Sequence, residues 1–147
     1  DQFKAVFYLA AQITETVKGG ADGDQLTVER ELLGRALEDV QAMIGKLGEW
    51  AMASQTDPQQ IYRVGLNSTR LLMAAGDLVT GWLLIRQAEV ALAAVEAGAS
   101  GPDLTFYNGK VASAGWFARN RLPLLAAERV ITENTDLTLM QLDEAAF

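Results

Sequence analysis

The 147-residue sequence contains no histidine and no cysteine. This excludes catalytic devices built on an imidazole or a thiol, zinc sites of the usual nitrogen and sulfur type, and any disulfide framework. A di-iron bundle pairs its carboxylates with an E-x-x-H motif, so the missing histidine closes that route and no metal is expected. Proline is scarce, at positions 58, 102 and 123. Basic residues are outnumbered, 12 against 19 acids, for a formal net charge of −7. Phosphate backbones and anionic lipids both require clustered cations, so neither nucleic acid nor a membrane surface is an expected partner. Long apolar runs are missing too. The strongest, 78–85, lies between Asp77 and Arg86 and falls far short of the roughly 20 residues of a membrane span. A soluble, cytoplasmic protein is predicted. Any acid–base chemistry falls to carboxylates, hydroxyls, lysines and backbone.

What is present favours helices. Half of the residues are hydrophobic, enough for the core of one domain. Alanine and leucine, the best helix formers, supply 43 of the 147 residues, so an all-α chain is predicted and strands are not. The opening Asp1-Gln2-Phe3-Lys4, without an initiator Met, reads as part of a longer chain.

The helical period predicts a first helix over 2–18, with Phe3, Val6, Phe7, Ala10, Ile13 and Val17 on one face. A second spans Thr27 to Ala53, with Leu33, Leu37, Val40, Ile44, Leu47 and Ala51 recurring every three or four positions and Trp50 beside them. Between the two, Gly19-Gly20-Ala21-Asp22-Gly23-Asp24 is similar only superficially to a phosphate loop, because it follows a helix and lacks the Gly-Lys-Ser/Thr ending. It also falls short of a calcium loop. It reads as a plain connection.

Thr56-Asp57-Pro58 is a helix start, with Asp57 as cap and Pro58 in the first turn. The third helix continues to Glu96 along a seam of Ile61, Val64, Ser68, Leu71, Ala75, Leu78, Trp82, Ile85, Glu89 and Leu92. Gly98 to Asp103 stop and restart the chain, with Asp103 or Thr105 as the next cap. The fourth helix covers 104–132 and is kinked at Pro123; 134–147 adds a short turn. Short loops between long helices predict an up-down-up-down four-helix bundle with long third and fourth helices.

Asp77 and Glu89 lie among apolar neighbours, where a catalytic carboxylate would be sought. The plainer reading is a structural ion pair, Asp77 being met by Arg70 one heptad earlier or by a base on a facing helix. Phe106, Tyr107, Trp116 and Phe117 fall at helical spacing and read as core. Their helix carries Lys110, Arg119, Arg121 and Arg129 against Glu128, a local surplus of three positive charges, whereas 22–57 carries eight acids and three bases. The two helices can use this difference between them, or the basic face can meet an acidic partner or a phosphate-bearing ligand. Gly65, Gly76, Gly81, Gly109 and Gly115 each cost about 1 kcal/mol inside a helix. Close helix approach is the expected compensation, with Trp116 or Phe117 passing Gly76 and Gly81.

Two segments resemble a known family. The run from Leu72 to Ala88, with Gly76-Asp77-Leu78 and Gly81-Trp82 within it, and the run from Phe106 to Arg119, opening Phe106-Tyr107-Asn108-Gly109-Lys110 and followed by Leu122-Pro123, are similar to the C-terminal domain of the long bacterial acyl-CoA dehydrogenases, which include 3-methylmercaptopropionyl-CoA dehydrogenases. One departure is Asp77, where members of the family often carry His. The resemblance implies a noncatalytic helical domain appended to a flavoenzyme core. FAD and the acyl-CoA substrate would belong to the full-length parent, a homo-oligomer. The family's catalytic and flavin-binding residues lie outside these segments, so no catalytic or cofactor-binding residue is carried over.

On that reading Asp77, Lys110, Arg119 and Arg121 are structural or interdomain polar contacts. The three cations pair with Asp77 and the acids of the second helix, or meet the upstream core; contact with CoA phosphates is a further reading. The alternative is a free-standing interaction module that binds a partner helix between its third and fourth helices. An appended domain would leave an apolar face uncovered, and a free module would show a groove rimmed by charge. An independent enzyme would need a cleft holding a buried, unpaired carboxylate.

Overall fold

The computed structural model describes residues 4–20 and 24–146. These form α1 (Lys4–Lys18), α2 (Thr27–Ala53), α3 (Gln60–Glu96), α4 (Gly101–Asn120) and α5 (Leu124–Glu133), followed by 3-10 turns at Leu139–Gln141 and Glu144–Ala146. Among the described residues there is no strand, so the chain is all-α. Phe3 and positions 21–23 of the glycine-rich connection lie outside the described residues.

α2 has the bounds that its periodicity predicts, and buries Leu33, Leu37, Val40, Met43, Leu47 and Trp50. Ile44 is half-buried and Ala51 exposed. α3 starts later than the Thr-Asp-Pro signal suggests. Asp57 accepts from the backbone N–H of Gln59 at 3.2 Å and from the side-chain amide of Gln60 at 2.7 Å. Its carboxylate thus steadies a turn over 57–59, and the first helical residue is Gln60.

The buried line of α3 is also rotated from the expected seam. Leu78 and Ile85 are buried as read, but Ile61 and Ser68 are exposed, while Asn67, Ala74, Gly81, Ala88 and Ala91 are buried. Small side chains one heptad apart let neighbouring helices come close, and the interaxial distance follows the side chains at the contact. α4 answers in kind, burying Ala114 and Ala118. The aromatics expected in the core are displaced by this close packing: Phe106 and Trp116 are exposed, and Tyr107 and Phe117 half-buried.

Pro123 breaks the predicted fourth helix rather than kinking it. Proline lacks the N–H that would continue the ladder, so α4 ends at Asn120, residues 121–123 turn, and α5 restarts at Leu124. The turn drops Leu122 into the core against Gly81, where a Cβ would lie 2.8 Å from Leu122 Cδ2. The close neighbour of α3 is therefore Leu122, not Trp116 or Phe117. Gly65, Gly76 and Gly109 face open space, so close approach explains none of these three. At the other end of α4, Ser100 is the residue before the helix and Pro102 lies in its first turn. Asp103 and Thr105 are already inside and do not cap it.

α1 is covered over only part of its apolar face. Ile13 is buried, and Leu9, Ala10 and Val17 pack against the core, but Val6, Phe7 and Tyr8 are exposed, Phe7 at 72%. The Trp82 indole N–H donates to Thr16 Oγ1 at 2.9 Å and ties α1 to α3. Along α2 and α3 the paired residues run in opposite order: Arg30 meets Glu89, and Arg63 lies over the Trp50 ring. Along α3 and the α4–α5 pair they do so again, with Lys110 at Gln87, Arg121 at Asp77 and Arg70 at Glu128. By length and composition alone α3 could cross a membrane, although its longest uninterrupted apolar run is short. Here it is the central helix of the packing, with Leu78 and Ile85 in the core and Glu89 in an ion pair.

Candidate functional site

The polar residues of interest lie where α4 and α5 face α2 and α3. Arg121 Nη2 donates to Asp77 Oδ2 at 2.7 Å, so Asp77 faces a base in the turn that follows α4 and not Arg70. Arg70 instead pairs with Glu128 of α5. Arg119 reaches α2, where its Nη2 and Nε lie 2.9 and 3.1 Å from Glu29 Oε1. Glu29 is 3% exposed and its Oε2 is buried without a partner. Lys110 donates to Gln87 Oε1 at 3.3 Å and sits 5.2 Å from the centroid of the Phe106 ring. The four residues are spread along the helix contacts and do not converge on one cleft.

Sequence reasoning missed a buried charge cluster at the start of α2. Arg30 is 7% exposed and holds two carboxylates, Asp24 in the loop before α2 and Glu89 of α3, the latter at 3.1 Å. The second carboxylate of the candidate pair is therefore neutralised. The Arg30 guanidinium beside Asp24 holds that carboxyl below the usual carboxylate range, with further hydrogen bonds from the Leu26 N–H and Thr27 hydroxyl, while burial works the other way. Gly20, at φ +90°, leaves room for this pair, because a side chain there would collide with Arg30 and Asp24. At Gly20 the backbone is thus fitted to an internal salt bridge. A signal was present: Leu26, Arg30, Leu33 and Leu37 share one helical stripe, so Arg30 had to be buried with its charge answered.

A second pairing also escaped the reading. Asn67 on α3, buried, donates its amide to the Arg63 carbonyl at 2.9 Å and to Thr135 Oγ1 at 3.0 Å, pinning the segment after α5.

The chemistry available is that of recognition. Among the described residues no three carboxylates gather to hold a metal ion, and Asp77, Glu89 and Glu29 each face an arginine. An open groove of about 560 Å³ lies between α3 and α4, lined by Leu83, Val90 and Phe106 together with Arg86, Gln87 and Lys110.

With this geometry in place, comparison with known proteins gives one consistent picture. Residues 9–143 match the family described as acetyl-CoA dehydrogenase C-terminal like. Over its whole length the chain is 50% identical to the broad-specificity linear acyl-CoA dehydrogenase FadE5 of Mycobacterium tuberculosis, and it spans 24% of that protein. The matched stretch runs from within α1 past the turn at Leu139–Gln141, so it takes in the α3–α4 contact, the Pro123 break and the ion pairs together, and the chain belongs to the acetyl-CoA dehydrogenase C-terminal-like family.

Proposed function

We propose that these 147 residues are the C-terminal accessory domain of an FAD-dependent acyl-CoA dehydrogenase, which oxidises acyl-CoA to trans-2-enoyl-CoA, and that the domain is not catalytic by itself. The observation that carries this reading is the 50% identity across the whole chain to about a quarter of a much longer dehydrogenase. The helices are read as an up-down-up-down bundle in which α4 and α5 together make the fourth member. The opposed residue order along α2 and α3, and along α3 and α4–α5, supports that arrangement.

Of the arginines, Arg30, Arg70, Arg119, Arg121 and Arg129 each hold a carboxylate and are not free to take the pyrophosphate of a flavin. At Gly20 the space is taken by the side chains of Arg30 and Asp24. FAD is therefore assigned to the upstream core, and no redox step is routed through this chain. Its own contribution is packing. Exposed Phe7 and Tyr8 on α1, Leu72 and Met73 on α3 and Leu139 after α5 support a role in covering the core, stabilising a homo-oligomer of a cytoplasmic enzyme, or shaping the acyl-CoA entrance.

The test compares the full-length protein with the same protein truncated before Asp1, in a dehydrogenase assay with an artificial electron acceptor across a panel of acyl-CoAs. Loss of activity or of the oligomer on truncation is the expected result. An unaffected truncated enzyme would leave the bundle as a docking module. The charged rim of the α3–α4 groove favours that second reading and makes the groove the place to look for its partner.

A further inference from the structure

At the start of α2, three carboxylates are met by two guanidinium groups: Arg30 takes Asp24 and Glu89, and Arg119 takes Glu29. Arg119 spends both of its contacts, from Nη2 at 2.9 Å and Nε at 3.1 Å, on the single oxygen Oε1. The other oxygen of Glu29, Oε2, is buried without a hydrogen-bond partner. Leaving a buried carboxylate oxygen without a donor is costly, and the cluster as a whole is one positive charge short.

Glu29 also lines an open cleft of about 420 Å³ between α2 and α4, in the company of Leu26, Val111, Ala112 and Trp116. Gly115 keeps α4 from closing over the carboxylate, since a Cβ there would stand 3.3 Å from Glu29 Oε1. The next residue is the exposed Trp116. The other two tryptophans carry cations over their rings, Lys46 and Arg63 at Trp50 and Arg86 at Trp82. Among the described residues none lies over Trp116, although indole is the ring that attracts a cation most strongly. A missing charge, an oxygen without a donor and an open indole face all call for the same group, a cation with N–H bonds. The apolar residues beside them fit a short aliphatic stem, and the volume is that of a small-molecule site. A metal ion would need more carboxylates than the cleft offers.

We propose that the α2–α4 cleft is a binding site for a small organic cation, an ammonium or guanidinium group on a short alkyl stem, whose head donates to Glu29 and lies on the Trp116 ring. The last torsion of a glutamate is soft, so a turn of the carboxylate divides its two oxygens between Arg119 and the ligand. The site is built from residues of this chain alone and stands apart from the dehydrogenase reading.

The test uses the full-length protein and oxidation by hydroxyl radicals, followed by mass spectrometry at Trp116 and at the buried Trp50. The probe is n-butylguanidinium, and n-butylurea, of the same shape without the charge, is the control. Before any addition Trp116 should oxidise faster than Trp50. With n-butylguanidinium it should slow about twofold relative to n-butylurea, because a cation stacked on the ring covers one of its two faces. Glu29→Gln, which keeps the shape and can still accept from Arg119, should abolish that difference, and an unchanged Trp50 shows that the variant is folded. Ala112→Lys, at an exposed position of α4, puts a competing positive charge in the cleft without altering the Glu29–Arg119 pair. It should abolish the difference as well, and decides the matter if Glu29→Gln does not fold. No slowing, equal slowing by both compounds, slowing that persists in a folded variant, or a Trp116 as slow as Trp50 before any addition would each overturn the proposal.

Discussion

Leu122 fills the space into which a side chain on Gly81 would project: its Cδ2 stands 2.8 Å and its Cδ1 3.2 Å from the Cβ position. Because Leu122 is itself 2% exposed, it has nowhere to retreat. Gly81→Ala gains about 1 kcal/mol of helix propensity and loses about 1–3 kcal/mol to overpacking, so a net destabilisation is expected. Gly76→Ala, with nothing within 4 Å of its Cβ, should stabilise by up to about 1 kcal/mol. Urea unfolding of the two variants checks both signs.

Arg119 answers a buried Glu29 from an exposed position. Arg119→Ala strands that carboxylate and should cost about 1–3 kcal/mol. In a Glu29→Leu background the same change should cost under about 0.5 kcal/mol, since no charge is left to strand. A double-mutant cycle by chemical denaturation measures the difference.

Asp24 makes stability depend on acid pH. Its folded pKa is depressed, chiefly by the hydrogen bond from Arg30, so its contribution is present above the unfolded value near about 3.9 and is lost as pH falls through the lower folded value. Asp24→Asn should have a lower Tm than the wild type at neutral pH, and the gap should close below about pH 4. Thermal melts across pH 3–7 test this, and a constant gap would contradict it.

The Trp82–Thr16 hydrogen bond holds α1 on α3. Thr16→Val keeps the shape, removes the acceptor and should cost about 1 kcal/mol. The Trp82 indole N–H resonance should shift and exchange faster with solvent, because its partner is gone while the ring stays half-buried.

The sequence carries the fold unevenly. α2 is legible to the residue because large apolar side chains recur along it without interruption. α3 is legible as a helix but not in its orientation, since Ala74, Gly81 and Ala88 are buried by virtue of being small, and a search for bulky residues follows the wrong stripe. The exposed half of α1 shows the opposite failure: Val6 and Phe7 continue the apolar face of Ile13 but extend past the core of this chain. Of the polar contacts, Asp77 and the basic residues of α4 stand out by composition. Glu29 and Arg30 look like the solvated start of a helix unless their register with Leu33 is counted. Which carboxylate meets which arginine depends on the helix register, which for Arg121, Glu128 and Arg129 is set past the Pro123 break.

The same break divides the last third of the molecule into separately opening parts. α5 is a ten-residue helix joined to α4 by one turn, and it is held laterally by Arg129 on Asp39 and by Glu128 on Arg70. With the α-helical ladder replaced around residue 123 by turn bonds from the Leu124 and Leu125 N–H groups to the carbonyls of Arg121 and Leu122, the α5 amides can exchange with solvent while those of α4 stay protected, as in a cooperative unit of lower local stability. Anything that binds across both helices would remove that independence and would be visible as slowed exchange in α5 before any change of shape.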